Sequence, residues 1–329
     1  MKTGRQDSSR LPQPPVLVIG SSNTDLIIKA ARIPKPGETI LGGVFAQAAG
    51  GKGANQAVAA ARAGGAVTFI ARVGRDANGE AARAGFAADR INVKHVIRDA
   101  TTPSGVALIF VGKHGENSIA VASGANDKLS PADVRQAKAA FSHARVVLLQ
   151  LETPLPTVAA AVALAAAAGV RVVLNPAPAR LLPTQLLKRL YLLTPNQSEA
   201  ELLTGVVVSD AATAARAADA LLSRGVQNVI ITLGARGAFV AGDGMCQLVP
   251  GFKVKALDAT GAGDVFNGAL VVALAEGRSL LEAARFGCAA AAISVTRLGA
   301  QPSAPTRQEI EAVLATGRVP AESRAARPS

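Results

Sequence analysis

The sequence predicts an α/β fold in which a mostly parallel central sheet carries helices on both faces, with a small β-sheet as a lid. Three observations carry this expectation. Short apolar runs alternate with alanine-rich helical patterns along most of the chain, as in βα units joined by right-handed crossovers. Two strand-like regions, near 24–47 and 103–122, fall outside that rhythm and suggest a separate sheet. Polar clusters follow several apolar runs, at the carboxyl ends where open α/β sheets bind ligands.

In chain order, residues 1–15 are polar, basic and proline-rich, and are expected to form a disordered tail. Val16-Leu17-Val18-Ile19-Gly20 is a continuous apolar run ending in glycine, the pattern of a buried parallel strand. The polar cluster Ser21-Ser22-Asn23-Thr24-Asp25 follows it. After a turn at Pro34, Pro36 and Gly37, Thr39-Ile40-Leu41 reads as a strand. Residues 105–111, joined through Lys113-His114-Gly115-Glu116 to 118–121, read as a hairpin. Core strands are expected at 68–73, 146–151, 170–174, 190–193 and 229–233. The helical patterns between them fall at 54–63, 79–87, 131–141, 156–168, 198–203 and 211–224. Further helices are expected just after Asp264, through 283–295 and near 306–315. A basic tail at 316–329 leaves 16–315 as the catalytic domain.

A chain of 329 residues is long enough for one large domain or two smaller ones. Apolar residues make up 49%, but many are alanine, and the longest apolar run, 158–170, is too short to span a bilayer. It reads as a buried helix, and no membrane partner is expected. Two cysteines, Cys246 and Cys288, and the lack of a signal-peptide pattern suggest a cytoplasmic protein. His95, His114 and His143 lie far apart, without the spacing of zinc ligands. The net charge of +12 is diffuse and aromatics are only 3%, too few for base-stacking platforms, so no nucleic-acid partner is expected.

The chemistry points to Asp258-Ala259-Thr260-Gly261-Ala262-Gly263-Asp264, where two carboxylates bracket small residues just before an apolar helical pattern. Glycines let a ligand approach the backbone, and amides at a helix N-terminus favour an anion. Asp264 beside a bound phosphate would be free to take a proton from an attacking hydroxyl, which suits phosphoryl transfer to an alcohol. On their own these residues suit equally a loop closed by an Asp N-cap. Gly50 to Gln56 lacks the Gly-Lys-Ser/Thr spacing of a P-loop. It suits a backbone laid against a polyol, or a flexible turn capped by Asn55. Thr194 and Gln197 fit a capping box, which would leave Asn196 and Glu199 to face a ligand. Thr232 to Gly237 suits a turn between strands or a loop around a nucleotide phosphate.

Taken together, Asn23-Thr24-Asp25, Gly50 to Gln56, Asn175-Pro176-Ala177-Pro178-Ala179-Arg180, Thr194 to Glu199, Thr232 to Gly237, Asp258 to Gly268 and Thr296 to Ser303 resemble the PfkB carbohydrate kinases. Within them the likeness is to the ribokinase branch, in order and over roughly 16–314. The resemblance implies a Rossmann-like core and ATP-dependent phosphorylation of the 5-hydroxyl of D-ribose. It implies Asp264 as the base and Gly261, Ala262 and Gly263 as an anion hole. Asn23, Asp25, Gly51, Lys52, Gly53, Asn55 and Glu152 would hold the sugar. Asn196 and the loop Thr232, Leu233, Gly234, Ala235, Arg236, Gly237 would contact ATP together with Gly263, and Glu199 would help hold Mg²⁺. Asp258, Thr260, Ser294, Arg297, Gly299 and Ser303 would cage K⁺. Cys288 departs from the family pattern, which has a histidine near the adenine. A homodimer paired through the lids is also implied. The alternatives are another PfkB-type kinase, for deoxyribose, a nucleoside or a ketohexose, or a sugar-binding regulator without activity.

Overall fold

The computed structural model describes residues 13–320; of the tails expected at 1–15 and 316–329, residues 1–12 and 321–329 lie outside the described residues, while Pro15 already belongs to the first strand and Thr316 to the last helix. The first apolar run forms β1 (Pro15–Ile19), and its alternation serves two faces. Val16 and Val18 join one core, Leu17 and Ile19 the other. After it come β2 (Asn23–Lys29), β3 (Val44–Gly50), α1 (Lys52–Arg62), β4 (Ala66–Gly74), α2 (Ala77–Ala88) and β5 (Asn92–Asp99). The expected hairpin is β6 (Gly105–Val111) and β7 (Asn117–Ala122). The chain continues through α3 (Pro131–Gln136), α4 (Lys138–His143), β8 (Val146–Leu149), α5 (Leu155–Ala167), β9 (Arg171–Leu174) and α6 (Thr184–Leu187). β10 (Leu192–Leu193), α7 (Gln197–Thr204), α8 (Ala211–Leu222), β11 (Asn228–Thr232), β12 (Gly237–Gly242) and β13 (Met245–Pro250) come next. Three helices end it: α9 (Ala262–Ala275), α10 (Leu280–Ser294) and α11 (Arg307–Thr316).

Nine strands form the main sheet in the order β13-β12-β11-β10-β9-β8-β1-β4-β5. Pairing is parallel from β5 to β11 and antiparallel at the β11–β12–β13 edge. Helices α1, α2, α9, α10 and α11 cover one face around Val16, Phe69 and Phe286. Helices α3 to α8 cover the other around Leu17, Ile70 and Leu149. Truncating one of these buried side chains to alanine is expected to cost about 2–5 kcal/mol.

The second sheet has the order β3-β2-β6-β7. β2 leaves β1 after only Gly20, Ser21 and Ser22, which places Asn23 and Asp25 at the root of this sheet. The lid strand expected at Thr39–Leu41 is not formed. The strand there is β3, five residues later, because seven consecutive pairs with β2, from Lys29–Val44 to Asn23–Gly50, fix its register. The helix expected at 131–141 is broken into α3 and α4 at Ala137. Val44, Phe45, Leu108, Ile119 and Val121 of the second sheet are exposed.

Candidate active site

Gly261 is the N-cap of α9 with φ 71°, in the left-handed region that glycine adopts without strain. Asp264 is therefore the third helical residue and not the cap. The first-turn amides of a helix have no intrahelical acceptor, which makes this turn an anion site. Asp264 is buried, with Oδ2 accepting from Asn55 Nδ2 (3.0 Å) and Oδ1 from Gln56 Nε2 (2.9 Å). Burial raises its pKa, and nearby Glu152 adds to that, against the Lys52 ammonium and the two amide donors. Asn55 and Gln56 reach this carboxylate because α1 and α9 pack closely at Gly268. A Cβ there would lie 2.6 Å from both the Ala59 Cβ and the Gln56 carbonyl oxygen.

The residues expected to hold a sugar meet where the turn after β1 touches the start of α1. Gly51 has φ 88°, and a Cβ on it would lie 2.7 Å from the Asn23 amide nitrogen. Glu152, just beyond β8, accepts from the Ser21 hydroxyl (2.6 Å) and the Lys52 N–H (2.9 Å), while Gly53 N–H donates to the Ser21 oxygen (3.2 Å). Asn23 Oδ1 accepts from Asn126 Nδ2 (2.7 Å). Burial, then the charges of Glu152 and Asp264, push Asp25 up to about 6 despite Lys52. Burial disfavours the Lys52 charge, yet Asp264, Glu152, Glu199 and Asp25 together raise its pKa, so one ammonium sits among four carboxylates. A cavity of about 440 Å³ opens on Asn23, Glu152 and Arg180.

On the other side of Asp264 lies a polar cavity of about 190 Å³, lined among others by Lys52, Asn196, Glu199, Gly263 and Asp264. It shares Thr232, Ala259, Ala262 and Gly263 with a largely apolar pocket of about 470 Å³ that holds Phe252, Phe266 and Cys288. Gly234, Ala235 and Gly237 line its rim, and Leu233 is buried behind it. The Arg236 guanidinium instead turns to the Ser209 carbonyl. Burial pushes the Cys288 thiol up to about 12, so it is a neutral apolar wall.

The capping box expected from Thr194 and Gln197 is made two residues later. Asn196 Oδ1 accepts from Glu199 N–H, and Glu199 Oε2 accepts from Asn196 N–H, both at 2.8 Å. Thr194 instead directly follows β10, with its hydroxyl donating to Asn267 Oδ1 (2.6 Å), and Gln197 Nε2 donates to Val208 O. Glu199 still faces the polar cavity, and burial raises its pKa.

Asp258 joins two loops. Its Oδ1 accepts from the Thr260 N–H (2.9 Å) and hydroxyl (2.6 Å), its Oδ2 accepts from Gly299 N–H (2.8 Å), and its own N–H donates to Val295 O (3.2 Å). Burial works against its charge, but these donors win and lower its pKa. The Ser294 and Ser303 hydroxyls donate to the carbonyls of Ala291 and Ala300, and Arg297 pairs with Glu309. Of the six residues expected to hold K⁺, Asp258, Thr260 and Gly299 are linked to one another by hydrogen bonds at this junction. No helix among the described residues is long and apolar enough to cross a membrane.

Sequence reasoning left out Asn126 and Gln150, and gave Ser21, Gln56, Asn175 and Asn267 no individual role within the segments it singled out; all six are buried and hydrogen-bonded within the site. Gln150 carried a signal: a polar residue inside the apolar run that ends the strand at 146–151.

The chain has clear relatives. The model of the pfkB family carbohydrate kinases matches residues 13–307. The ribokinase of Haemophilus influenzae is 50% identical over 292 residues, which cover 89% of this chain and 95% of that protein. A deoxyribokinase of Salmonella typhi is 37% identical over 300 residues, covering 91% and 98%. The structure of Arabidopsis thaliana ribokinase complexed with ribose and ATP matches with a TM-score of 0.85 at 33% identity, covering 92% of this chain and 99% of that one. Motifs, fold and relatives agree, and the chain belongs to the pfkB family of carbohydrate kinases.

Proposed function

We propose that this protein transfers the γ-phosphoryl group of ATP to the 5-hydroxyl of D-ribose, giving D-ribose 5-phosphate and ADP. The observation that carries the reading is the place of Asp264. It stands in the first turn of α9, between the polar cavity beside the anion-binding amides and the cluster of sugar-side residues.

The ribose sits against Asn23, Asp25, Gly51, Lys52, Gly53 and Glu152, with its 5-hydroxyl toward Asp264. The hydroxyl oxygen bonds to the γ-phosphorus while its proton passes to the Asp264 carboxylate, and the bond to the β–γ bridging oxygen breaks to release ADP. The Gly261-Ala262-Gly263 turn and the Lys52 ammonium take up the charge on the transferring group. The largely apolar pocket walled in part by Cys288 suits adenine, and the polar cavity that joins it suits the phosphates. Glu199 faces that cavity as a carboxylate, so it fits a hydrated Mg²⁺, which would neutralise phosphate charge. The ionised Asp258 with Thr260 and the carbonyls of Ser294, Arg297 and Gly299, beside Ser303, fits K⁺, which would stiffen the loop that carries the anion hole.

Residues 16–315 act as one catalytic domain, with the second sheet, near 24–47 and 103–122, as its lid. The exposed apolar side chains of that sheet suit pairing in a homodimer. The protein works in the cytoplasm. Deoxyribose is the second reading, favoured by the deoxyribokinase relative. The test is ATP turnover with Mg²⁺ against D-ribose, 2-deoxy-D-ribose, a ketohexose and a nucleoside, with the phosphorylated carbon read by ³¹P NMR. Faster turnover of any other sugar than of ribose, or phosphate on a carbon other than C5, overturns the reading.

A further inference from the structure

We propose that Gln56 and Gln150 are positioning residues for the transfer step: a one-way chain of buried amides presents a hydrogen-bond donor to the base. The proposal rests on the reading of Asp264 as that base. The chain begins at a group that cannot turn round. The backbone carbonyl of Thr194 accepts from Asn175 Nδ2 (3.0 Å), which points Asn175 Oδ1 at Gln56. Gln56 Nε2 then donates both to Asn175 Oδ1 (3.0 Å) and to Asp264 Oδ1 (2.9 Å). Gln56 Oε1 accepts from Gln150 Nε2 at 2.6 Å.

Every amide in this chain is fixed by its neighbour. Turning Gln56 over would set its oxygen against Asn175 Oδ1 and against the Asp264 carboxylate, and its nitrogen against Gln150 Nε2. Turning Gln150 over would place two amide oxygens 2.6 Å apart. Gln150 Oε1 has no hydrogen-bond partner in the structure and lies where a Cβ on Gly20 would clash. A buried acceptor left unpaired carries a cost, so the orientation is held by the donation to Gln56. Gln56 is fully buried and Gln150 nearly so, which keeps water from replacing the link between them. The result is a donor on Asp264 Oδ1 at all times, which favours the ionised carboxylate and fixes its plane for the incoming hydroxyl.

The test compares the parent with Gln56→Met, Gln150→Met, the double variant and Asp264→Asn. Gln56→Met is expected to lower kcat about 10- to 100-fold, with KM for ribose and ATP within about threefold. Loss of the donor favours the protonated acid, so the acidic limb of the kcat–pH profile moves to higher pH. The other charged groups facing Asp264 are Lys52, Glu152, Asp25 and Glu199. Neither glutamine hydrogen-bonds to any of them, so a moved limb reports on Asp264. Gln150→Met is expected to lower kcat about 3- to 10-fold in the same manner, and the double variant to be no slower than Gln56→Met.

If Gln56→Met does not fold, Gln150→Met carries the test alone through the kcat-against-KM split and the limb. Folded variants with an unmoved limb, or losses that appear in KM alone or multiply in the double variant, overturn the proposal. Asp264→Asn separates the two ideas. If it is inactive while the glutamine variants behave as the parent, only the amide chain is wrong; if it turns over normally, the base is wrong as well.

Discussion

Asn55 Nδ2 donates to Asp264 Oδ2 at 3.0 Å while Asn55 Oδ1 accepts from Gln301 Nε2 at 3.2 Å. Both ends of an amide expected to meet the sugar are thus engaged, one on the base itself. With Gln56 on the other oxygen, the Asp264 carboxylate is gripped by two donors from a single turn of α1. Asp264→Asn keeps the shape but cannot accept the proton, and its new NH₂ must face one of those donors. Turnover is expected to fall by about 10²–10⁴ while ATP still binds. Single-turnover kinetics together with nucleotide titration check this, and near-parent turnover removes Asp264 from the chemistry.

Asp25 makes the pH dependence readable. Its pKa is pushed up to about 6 by burial and then by Glu152 and Asp264, from an ordinary value of 3.8. The folded value lies above the unfolded one, so the fold binds this proton more tightly. The associated stability is present below about pH 4 and is lost as pH rises through about 6. Asp25→Asn is therefore expected to melt at a higher temperature than the parent at about pH 7.5, with the gain shrinking toward pH 4. For catalysis the sign is opposite. A protonated Asp25 accepts fewer hydrogen bonds, so kcat/KM for ribose falls as pH drops through about 6. Melting curves across this range, paired with sugar kinetics, give both readouts. An Asp25→Asn gain that does not change with pH contradicts the assignment.

The junction at Asp258 predicts an effect of monovalent cations. An ion held there would touch neither substrate and would act by stiffening the turn that ends at Gly261. Activity is expected to be markedly higher in potassium than in sodium or choline buffers of equal ionic strength, and Asp258→Ala is expected to remove the difference. Equal rates of the parent in all three salts would exclude the site.

Gly268 ties packing to chemistry. Its missing Cβ lets α1 and α9 approach, with 2.6 Å between the position a Cβ would take and either Ala59 Cβ or the Gln56 carbonyl. Gly268→Ala must separate the helices and is expected to cost about 1–3 kcal/mol. Because the two donors to Asp264 ride on α1, kcat should fall along with stability. Urea unfolding alongside kcat measures the pair; a stable variant with lost activity, or the reverse, would show that the two are not linked.

Local pattern carried most of the core. The run 16–20 had to be a two-faced buried strand because all of its residues are apolar, and β1 serves both cores. Where the outcome depends on distant partners, the pattern was silent. β3 contains Ala46, Gln47, Ala48 and Ala49, which favour no strand locally, and its place is set by pairing with β2. β5 went unseen because it is an edge strand carrying Lys94 and Arg98, as sheet edges often do. β12 and β13 went unseen because they run antiparallel beyond the last βα unit. In the site, acids, glycines and the asparagines at 23, 55 and 196 announced themselves, but the amides behind them, Gln56, Asn126, Gln150 and Asn175, did not. Thr194 and Asn196 are both good caps by type, and only the end of β10 decides that the helix starts at the second. Gln56 looked like an ordinary polar residue until the packing of α1 on α9 brought it to the Asp264 carboxylate, and Asn175 until the fold set it against Gln56.

The choice between ribose and deoxyribose rests on Asp25 and Asn23. Asp25 offers two acceptor oxygens on a short side chain, suited to two adjacent hydroxyls of a furanose. Asn23 Oδ1 is already held by Asn126 at 2.7 Å, so Asn23 would meet the proposed sugar as a donor through Nδ2. A sugar without the 2-hydroxyl leaves one of these groups unpaired in a buried site, at about 1–3 kcal/mol. Deoxyribose should thus lose about 5- to 150-fold in kcat/KM relative to ribose, and a ketohexose more, since its extra carbon must fit beneath the second sheet. Asp25→Ala is expected to lower ribose efficiency while narrowing the ratio between the two pentoses, because the partner of the 2-hydroxyl is gone. Asn126→Ala, which frees Asn23 to turn, should narrow the ratio in the same direction without touching the sugar itself. The measurement is kcat/KM for both pentoses on the parent and both variants. A parent that prefers deoxyribose, or an Asp25→Ala that keeps full efficiency with ribose, defeats the ribose assignment.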